Sequence, residues 1–502
     1  KPAAMRTEDF LAHHGVARNP FAEEDAQTDG VFKSVAADLR HPVWDKAYGD
    51  PAEPATSLVF GEKGAGKTAL RLQIADSIAR HNAAATADER AWVIAYDDFN
   101  PFLDHFADRL PARKGRDAER VLREWRLWDH MDAVMSIAVT DLVDRLLDPS
   151  HQGEGDANRI DAKRLRDLSA ANRRDLMLLA ACYDNSTSTP GSTRWSRLTR
   201  RVYLRSLAAG GWFAFGVLVT VLIAAAIGYW RAWDWLPTAW PWVGIFAGWT
   251  PWLMKWWDRH RCASRIVANV RSLRRDRGVL RRALLRVGAT DLENQPLPDR
   301  PRTDDRYELL AKLQGVLRSL GFGGVVVLVD RVDEPHLFGG RVEPMRDFVW
   351  SMLDNKFLRQ PGIGLKLLLP AELHEHLARA DRDFHQRARL DKQNVAPSLD
   401  WTAEALADLA TARLHACAEE GAHPSLRAMI DQAVSDTRLS EALRSLRTPR
   451  HLFKFLFRLI ATHCHTHPET ERVYRVGSDT FEAVLAVYAR EQSAVDRGLA
   501  SG

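Results

Sequence analysis

Two halves of one phosphate-binding pattern lie far apart in this chain, and a long apolar run separates them. The upstream half is Gly61-Glu62-Lys63-Gly64-Ala65-Gly66-Lys67-Thr68, which fits G-x-x-x-x-G-K-[ST] without a mismatch. The apolar run Leu58-Val59-Phe60 precedes it, and Ala69-Leu70-Arg71-Leu72-Gln73-Ile74 has the composition of a helix. A strand, a tight turn and a helix are therefore predicted in that order. Glycines 61, 64 and 66 let successive N–H groups face a phosphate chain, and the helix start adds the positive end of its dipole. On this reading the binding stretch runs from Gly61 through Ala69, Lys67 reaches the terminal phosphates and Thr68 holds Mg²⁺.

The downstream half is Gly323-Gly324-Val325-Val326-Val327-Leu328-Val329-Asp330-Arg331-Val332-Asp333-Glu334. A continuous aliphatic run of this kind predicts a parallel strand buried on both faces. Such a strand delivers its terminal carboxylate to the edge where ligands of open parallel sheets bind. Asp330 is thus the expected Mg²⁺ partner, and Asp333 or Glu334 would orient an attacking water, with the choice between them open. Trp92-Val93-Ile94-Ala95-Tyr96-Asp97-Asp98 predicts a second strand whose acidic end either faces the site or caps a loop. Leu365 to Leu369 predicts another buried strand, after a helix from Glu343 to Phe357.

Between the halves, every residue from Leu207 to Trp230 is apolar, aromatic, Gly or Thr, long enough to cross a hydrocarbon core of about 30 Å at 1.5 Å per residue. A second, Pro-interrupted segment, Leu236 to Met254, follows after the short turn Arg231-Ala232-Trp233-Asp234-Trp235. Indole rings crowd both segments at Trp212, Trp230, Trp233, Trp235, Trp240, Trp242, Trp252, Trp256 and Trp257, as they do at headgroup level. Arg194, Arg197, Arg200, Arg201 and Arg205 lead in, and Lys255, Arg259, Arg261 and Arg265 lead out, whereas the turn carries Arg231 alone. Charge bias therefore predicts a hairpin through the lipid bilayer at residues 207–254 with both ends cytoplasmic. Beyond it, Arg271 to Arg286 predicts a basic helix that could meet anionic lipid, nucleic acid or only solvent.

A net charge of +4 over 502 residues argues neither for nor against nucleic acid. Cys182, Cys262, Cys417 and Cys464 have no C-x-x-C spacing and predict free thiols in a reducing compartment. The N-terminal segment, 1–54, is expected near the nucleotide base or a neighbouring subunit. Helices are predicted at Ala403 to His415, Pro424 to Leu446 and Arg450 to Thr462. Thr448-Pro449-Arg450 places an arginine at a helix start, from which Arg450 could reach the γ-phosphate or merely cap the surface. The histidines of His463-Cys464-His465-Thr466-His467 point in different directions on a helix end and are not expected to hold a metal.

With its P-loop, acidic strand, further strands, helical lid and Thr448-Pro449-Arg450, the chain resembles the additional-strand ATPases, the AAA+ and STAND groups. The inserted apolar hairpin looks most like the KAP family of membrane-associated P-loop NTPases. One departure is that Arg331 stands directly after the metal aspartate, where many related ATPases carry glutamate. The resemblance implies an α/β P-loop NTPase fold: a parallel sheet with helices on both faces, a helical insertion, a two-helix transmembrane hairpin and a C-terminal all-helical lid. The ground plan is an NTPase core at 55–110 and 301–400, a helical insertion at 111–205, the hairpin at 206–257, a basic juxtamembrane part at 258–300 and the lid at 401–502. It also implies ATP and Mg²⁺, catalytic roles for Lys67, Glu334, Asp333 and Arg450, and metal ligation by Thr68 and Asp330. A homo-oligomer at the inner membrane, with a protein partner in signalling or antiphage defence, follows by the same analogy. A non-hydrolysing nucleotide switch and a nucleic-acid-handling AAA+ ATPase are the alternatives.

Overall fold

The computed structural model describes residues 4–35, 39–111, 118–148, 150, 152–153, 156–186, 191–202, 211–230, 233–286, 292, 295–470 and 472–496. Its centre is a five-stranded, all-parallel sheet of β1 (Ser57–Gly61), β2 (Ala91–Tyr96), β3 (Gly324–Val329), β4 (Ile363–Pro370) and β5 (Asn394–Ala396), in the order β2-β3-β4-β1-β5. Every residue of β1, β3 and β4 is buried, as their unbroken apolar runs require of strands covered on both faces. Lys366 is the exception in chemistry. Its Nζ donates to Tyr48 O at 2.8 Å and Ala55 O at 2.9 Å, and burial pushes its pKa down to about 8.

Side-chain alternation divides the strands between two cores. Phe60, Trp92, Ile94, Val325, Val327, Leu365 and Leu367 face one core, shared with the inserted helices Leu127–Leu147 and Ala170–Tyr183 and with Thr303–Ser319. Val59, Val326, Leu328 and Leu368 face the other, against Leu70, Ile74 and Ile78 of the helix Lys67–Ala84. The α/β layering expected from the sequence is therefore present. The sheet is one strand larger than expected, because β5 is only three residues long and has no apolar run to announce it.

Several boundaries move. The strand predicted over 92–98 ends at Tyr96, which leaves Asp97 and Asp98 beyond the sheet edge. The helix predicted over 343–357 is two helices, Val342–Trp350 and Asn355–Leu358, because the Asp354 carboxylate accepts from Lys356 N at 2.9 Å and starts the second. The helix predicted from Pro424 begins only at Asp436, where Ser435 caps it. Ser478–Asp496 is a further helix with no counterpart in the sequence reading. The N-terminal segment shares a third core with the C-terminal helices Ala403–Ala416, Asp436–Leu446 and Pro449–Thr466.

Of the two apolar segments, one becomes a helix long and apolar enough to cross a membrane, Gly211–Tyr229. The second lies within a 31-residue helix, Ala239–Asn269. Its apolar part ends at Met254, about 22 Å from Ala239 at 1.5 Å per residue, and Lys255, Asp258 and Arg259 follow. The two helices run antiparallel, for Gly216 meets Trp249, Val219 meets Gly248 and Ile223 meets Gly244. Their outer faces are bare: Leu222 is 59% exposed, Trp240 76% and Phe246 66%. Arg205, residues 207–210 and Arg231 lie outside the described residues.

The basic stretch after the hairpin is not one helix. Its helix spans Arg277–Arg286, and two arginines before it turn inward. Arg271 Nη2 lies 2.6 Å from the buried Asp129 Oδ2, and Arg275 donates to the backbone carbonyls of Ala180, Ala181 and Asp184.

Candidate functional site

All five strands are parallel, so the residues after β1, β2, β3 and β4 emerge along one edge. Gly64 (φ +88°) and Gly66 (φ +100°) adopt the left-handed backbone that glycine takes without strain. At Gly64 there is also no room for more, since a Cβ would lie 2.8 Å from Arg450 Cβ. Gly66 caps the helix Lys67–Ala84, and Trp401 Nε1 donates to Ala65 O at 2.8 Å, pinning the turn from outside.

The loop wraps its own lysine. Lys67 Nζ donates to Gly61 O at 2.8 Å and Glu62 O at 3.1 Å. Burial lowers its pKa, opposed by the nearby carboxylates of Asp333, then Asp330 and Glu372. One residue on, the Thr68 hydroxyl faces the Asp330 carboxylate just past the end of β3 and favours its charged form. Burial raises the pKa of Asp330, with that hydroxyl and Arg71 opposing. Thus Thr68 and Asp330, more than 250 residues apart in sequence, are brought to one site.

Arg71 extends the site sideways. It is buried, with Nη1 2.7 Å from Asp97 Oδ2 and Nε 3.3 Å from Asp330 Oδ2. Asp97 is thus linked to Asp330 through Arg71, although it lines a separate pocket with Asp98 and Asp104. Arg71 had a legible signal, because it follows Lys67 by four residues and so shares its helix face. Trp401 and Glu372 had none.

The turn after β3 is strained. Arg331 has φ +59°, in a region that non-glycine residues rarely adopt and that recurs at functional sites. Its guanidinium lies 3.5 Å from Glu334 Oε1 and 3.9 Å from Asp25 Oδ2. Glu334 is 58% exposed at its side chain, whereas Asp333 is the carboxylate acting most strongly on Lys67. Burial nevertheless raises the Glu334 pKa.

Part of the loop and the residues after β3 line a cleft of about 480 Å³, which Arg71, Asp97 and Glu372 do not. Lys63, Gly64, Gly66, Lys67, Thr68 and Ala69 form its floor, with Asp330, Arg331, Asp333 and Glu334 on one side and Arg450 opposite. Gly61, Glu62 and Ala65 do not line it: Gly61 ends β1, and Ala65 is buried in the core behind the loop. Thr448 caps the helix that carries Arg450, whose N–H approaches Gly64 O at 3.4 Å. The far end is apolar, with Phe32, Val35, Leu39, Leu409 and Phe453. Asp29 and Arg413 form a buried ion pair there at 2.6 Å, so the N-terminal segment does reach the cleft.

A cation fits the residues present. Asp330 Oδ2 is buried without a hydrogen-bond partner among the described residues, next to a threonine hydroxyl, a donor set suited to a hard metal ion that keeps part of its water. His463 Nε2 bonds Val473 O at 2.8 Å, and no group of three or more potential ligands occurs among the described residues. All four cysteines are free and buried. Comparison with family models, curated proteins and solved structures returns no match.

Proposed function

We propose that this chain is a membrane-anchored ATPase of the P-loop class, related to the KAP, STAND and AAA+ groups, working at the cytoplasmic face of the inner membrane. The observation that carries the reading is the convergence of Thr68 and Asp330 in one cleft with a glycine loop that holds Lys67. The position of β4 between β1 and β3 agrees with an additional-strand ATPase.

In this reading the N–H groups of residues 64–68 take the phosphates, and Lys67 Nζ exchanges the carbonyls of Gly61 and Glu62 for phosphate oxygens. Thr68 and Asp330 would hold Mg²⁺, which supplies charge neutralisation on the β- and γ-phosphates. Asp333 or Glu334 orients the water, and Arg450 approaches the γ-phosphate from the lid side of the cleft. Phe32, Val35, Leu39 and Phe453 would enclose the base. The bare apolar faces of Gly211–Tyr229 and Ala239–Asn269 support a bilayer hairpin and suit anchoring or homo-oligomerisation, while only the excess of basic residues flanking the hairpin over its turn speaks for a cytoplasmic side. Use of ATP to drive assembly or signalling with a partner protein, as in antiphage defence, rests on the family resemblance alone.

Turnover of ATP in detergent by the wild type, Lys67→Ala and Glu334→Gln tests the chemistry. A loss of at least about a hundredfold in Lys67→Ala is expected; equal rates in all three would end the enzymatic reading. The exposure of Glu334 and its pairing with Arg331 favour a second reading, a nucleotide switch that binds without appreciable turnover. Nucleic-acid handling has the least support, because Arg271 and Arg275 are engaged within the protein.

A further inference from the structure

The root of the apolar helix pair carries cations that the nucleotide cleft does not use. Trp256 lies on Ala239–Asn269 just past the apolar part ending at Met254. His260, one turn on, stacks on its indole with 5.4 Å between centroids and 5° between planes. From the neighbouring helix Arg277–Arg286, Arg281 sets its guanidinium carbon 4.7 Å from the Trp256 ring centroid. Arg259 follows Trp256 at the i+3 spacing that brings helical side chains together.

Three nitrogens here, Arg259 Nε, His260 Nδ1 and Arg281 Nε, are buried without a hydrogen-bond partner among the described residues. Arg265 and Arg271 have carboxylate partners, but among the described residues no carboxylate lies within ion-pair distance of Arg259 or Arg281. A buried donor without an acceptor is costly, and oxyanion oxygens are the acceptors that match it. The cluster is also continuous with exposed Met254 (62%) and Trp257 (51%), apolar surface that a nucleic-acid backbone would leave uncovered.

We propose that Arg259, His260 and Arg281 form a phosphate site for the headgroup of an anionic phospholipid, seated where Trp256 marks headgroup level. The proposal rests on the membrane reading above and adds a lipid class to it. Native mass spectrometry of the full chain in neutral detergent, with phosphatidylglycerol or phosphatidylcholine added, tests it. The wild type should retain phosphatidylglycerol preferentially, and R259Q/R281Q should weaken that retention about 30-fold, the loss expected for two cations near a charged surface. R259K/R281K should keep most of it, and both variants should bind ATP as the wild type does, which separates loss of the site from loss of the fold.

Equal retention of the two lipids, unchanged retention in R259Q/R281Q, or displacement of the lipid by inorganic phosphate or a short DNA duplex would overturn the lipid site. Partition into neutral phosphatidylcholine vesicles tells the two readings apart. Wild-type protein that enters them while showing no anionic preference refutes the lipid site alone, and protein that enters neither neutral nor anionic vesicles refutes both.

Discussion

His130 shows how one buried side chain ties the insertion to the sheet. It lies on Leu127–Leu147, fully buried; its Nδ1 accepts from Tyr96 Oη of β2 at 3.1 Å, and Nε2 donates to Phe348 O at 3.0 Å. Burial opposes the imidazolium and pushes the pKa down to about 3. Since this lies below the ordinary value of 6.5, the stability it confers is complete above pH 6.5 and is lost as pH falls toward 3. Between pH 7 and pH 5 that loss is about 2 kcal/mol. Denaturant unfolding at the two pH values should therefore show a drop in the wild type that shrinks by about that amount in His130→Gln. An equal drop in both proteins would mean the ring is not held neutral. Lys67, Thr68 and Asp330 were legible at this scale because phosphate and metal binding demand those residue types at fixed spacing. His130 was not, because its partners come from distant segments.

Among the elements, the apolar helix pair depends on glycines where the backbones approach. A Cβ on Gly248 would lie 2.7 Å from Val219 Cγ1, and one on Gly216 would lie 2.9 Å from Trp249 Cδ2, whereas Gly228 has nothing within 4 Å. Small residues at such crossings allow close packing in lipid as well as in water. Gly248→Leu should thus cost about 1–3 kcal/mol through overpacking, while Gly228→Leu costs little. Thermal unfolding followed in detergent would read a lower midpoint for the first variant only; equal midpoints would refute the tight crossing. The first apolar helix, the aliphatic strands β3 and β4 and the helix after the glycine loop were legible from composition and periodicity. The continuation of the second apolar helix to Asn269 was hidden because its apolar run ends at Met254 before charged residues, while Pro251 is accommodated in its interior. The break before Arg277 was hidden too, because arginine suits a helix intrinsically; there the Asp276 carboxylate accepts from Val279 N at 2.7 Å and starts a new helix, while Arg271 and Arg275 are held by Asp129 and by the Ala180, Ala181 and Asp184 carbonyls.

Across the whole molecule, segments remote in sequence are joined by buried charge pairs as well as by apolar packing. Arg413 to Asp29 holds the N-terminal segment on the C-terminal helices, and Arg306 to Asp132, 3.1 Å apart and fully buried, holds Thr303–Ser319 on the insertion. Arg109 donates to Val267 O and Val270 O, so the end of the long helix Ala239–Asn269 is clamped directly to the segment after β2. The layered α/β plan could be read from the two halves of the phosphate motif. The sharing of one core by the chain's first and last segments could not, since neither segment carries a pattern that specifies its partner. In the proposed function, residues from both sides of the insertion form one Mg²⁺-dependent nucleotide site. Calorimetric titration of the full chain with ATP, with Mg²⁺ or with EDTA, tests it most directly in the wild type, Lys67→Ala and Asp330→Asn. Mg²⁺-dependent binding that weakens at least about tenfold in each variant is expected. Binding that is indifferent to Mg²⁺ and unchanged in Asp330→Asn would contradict it.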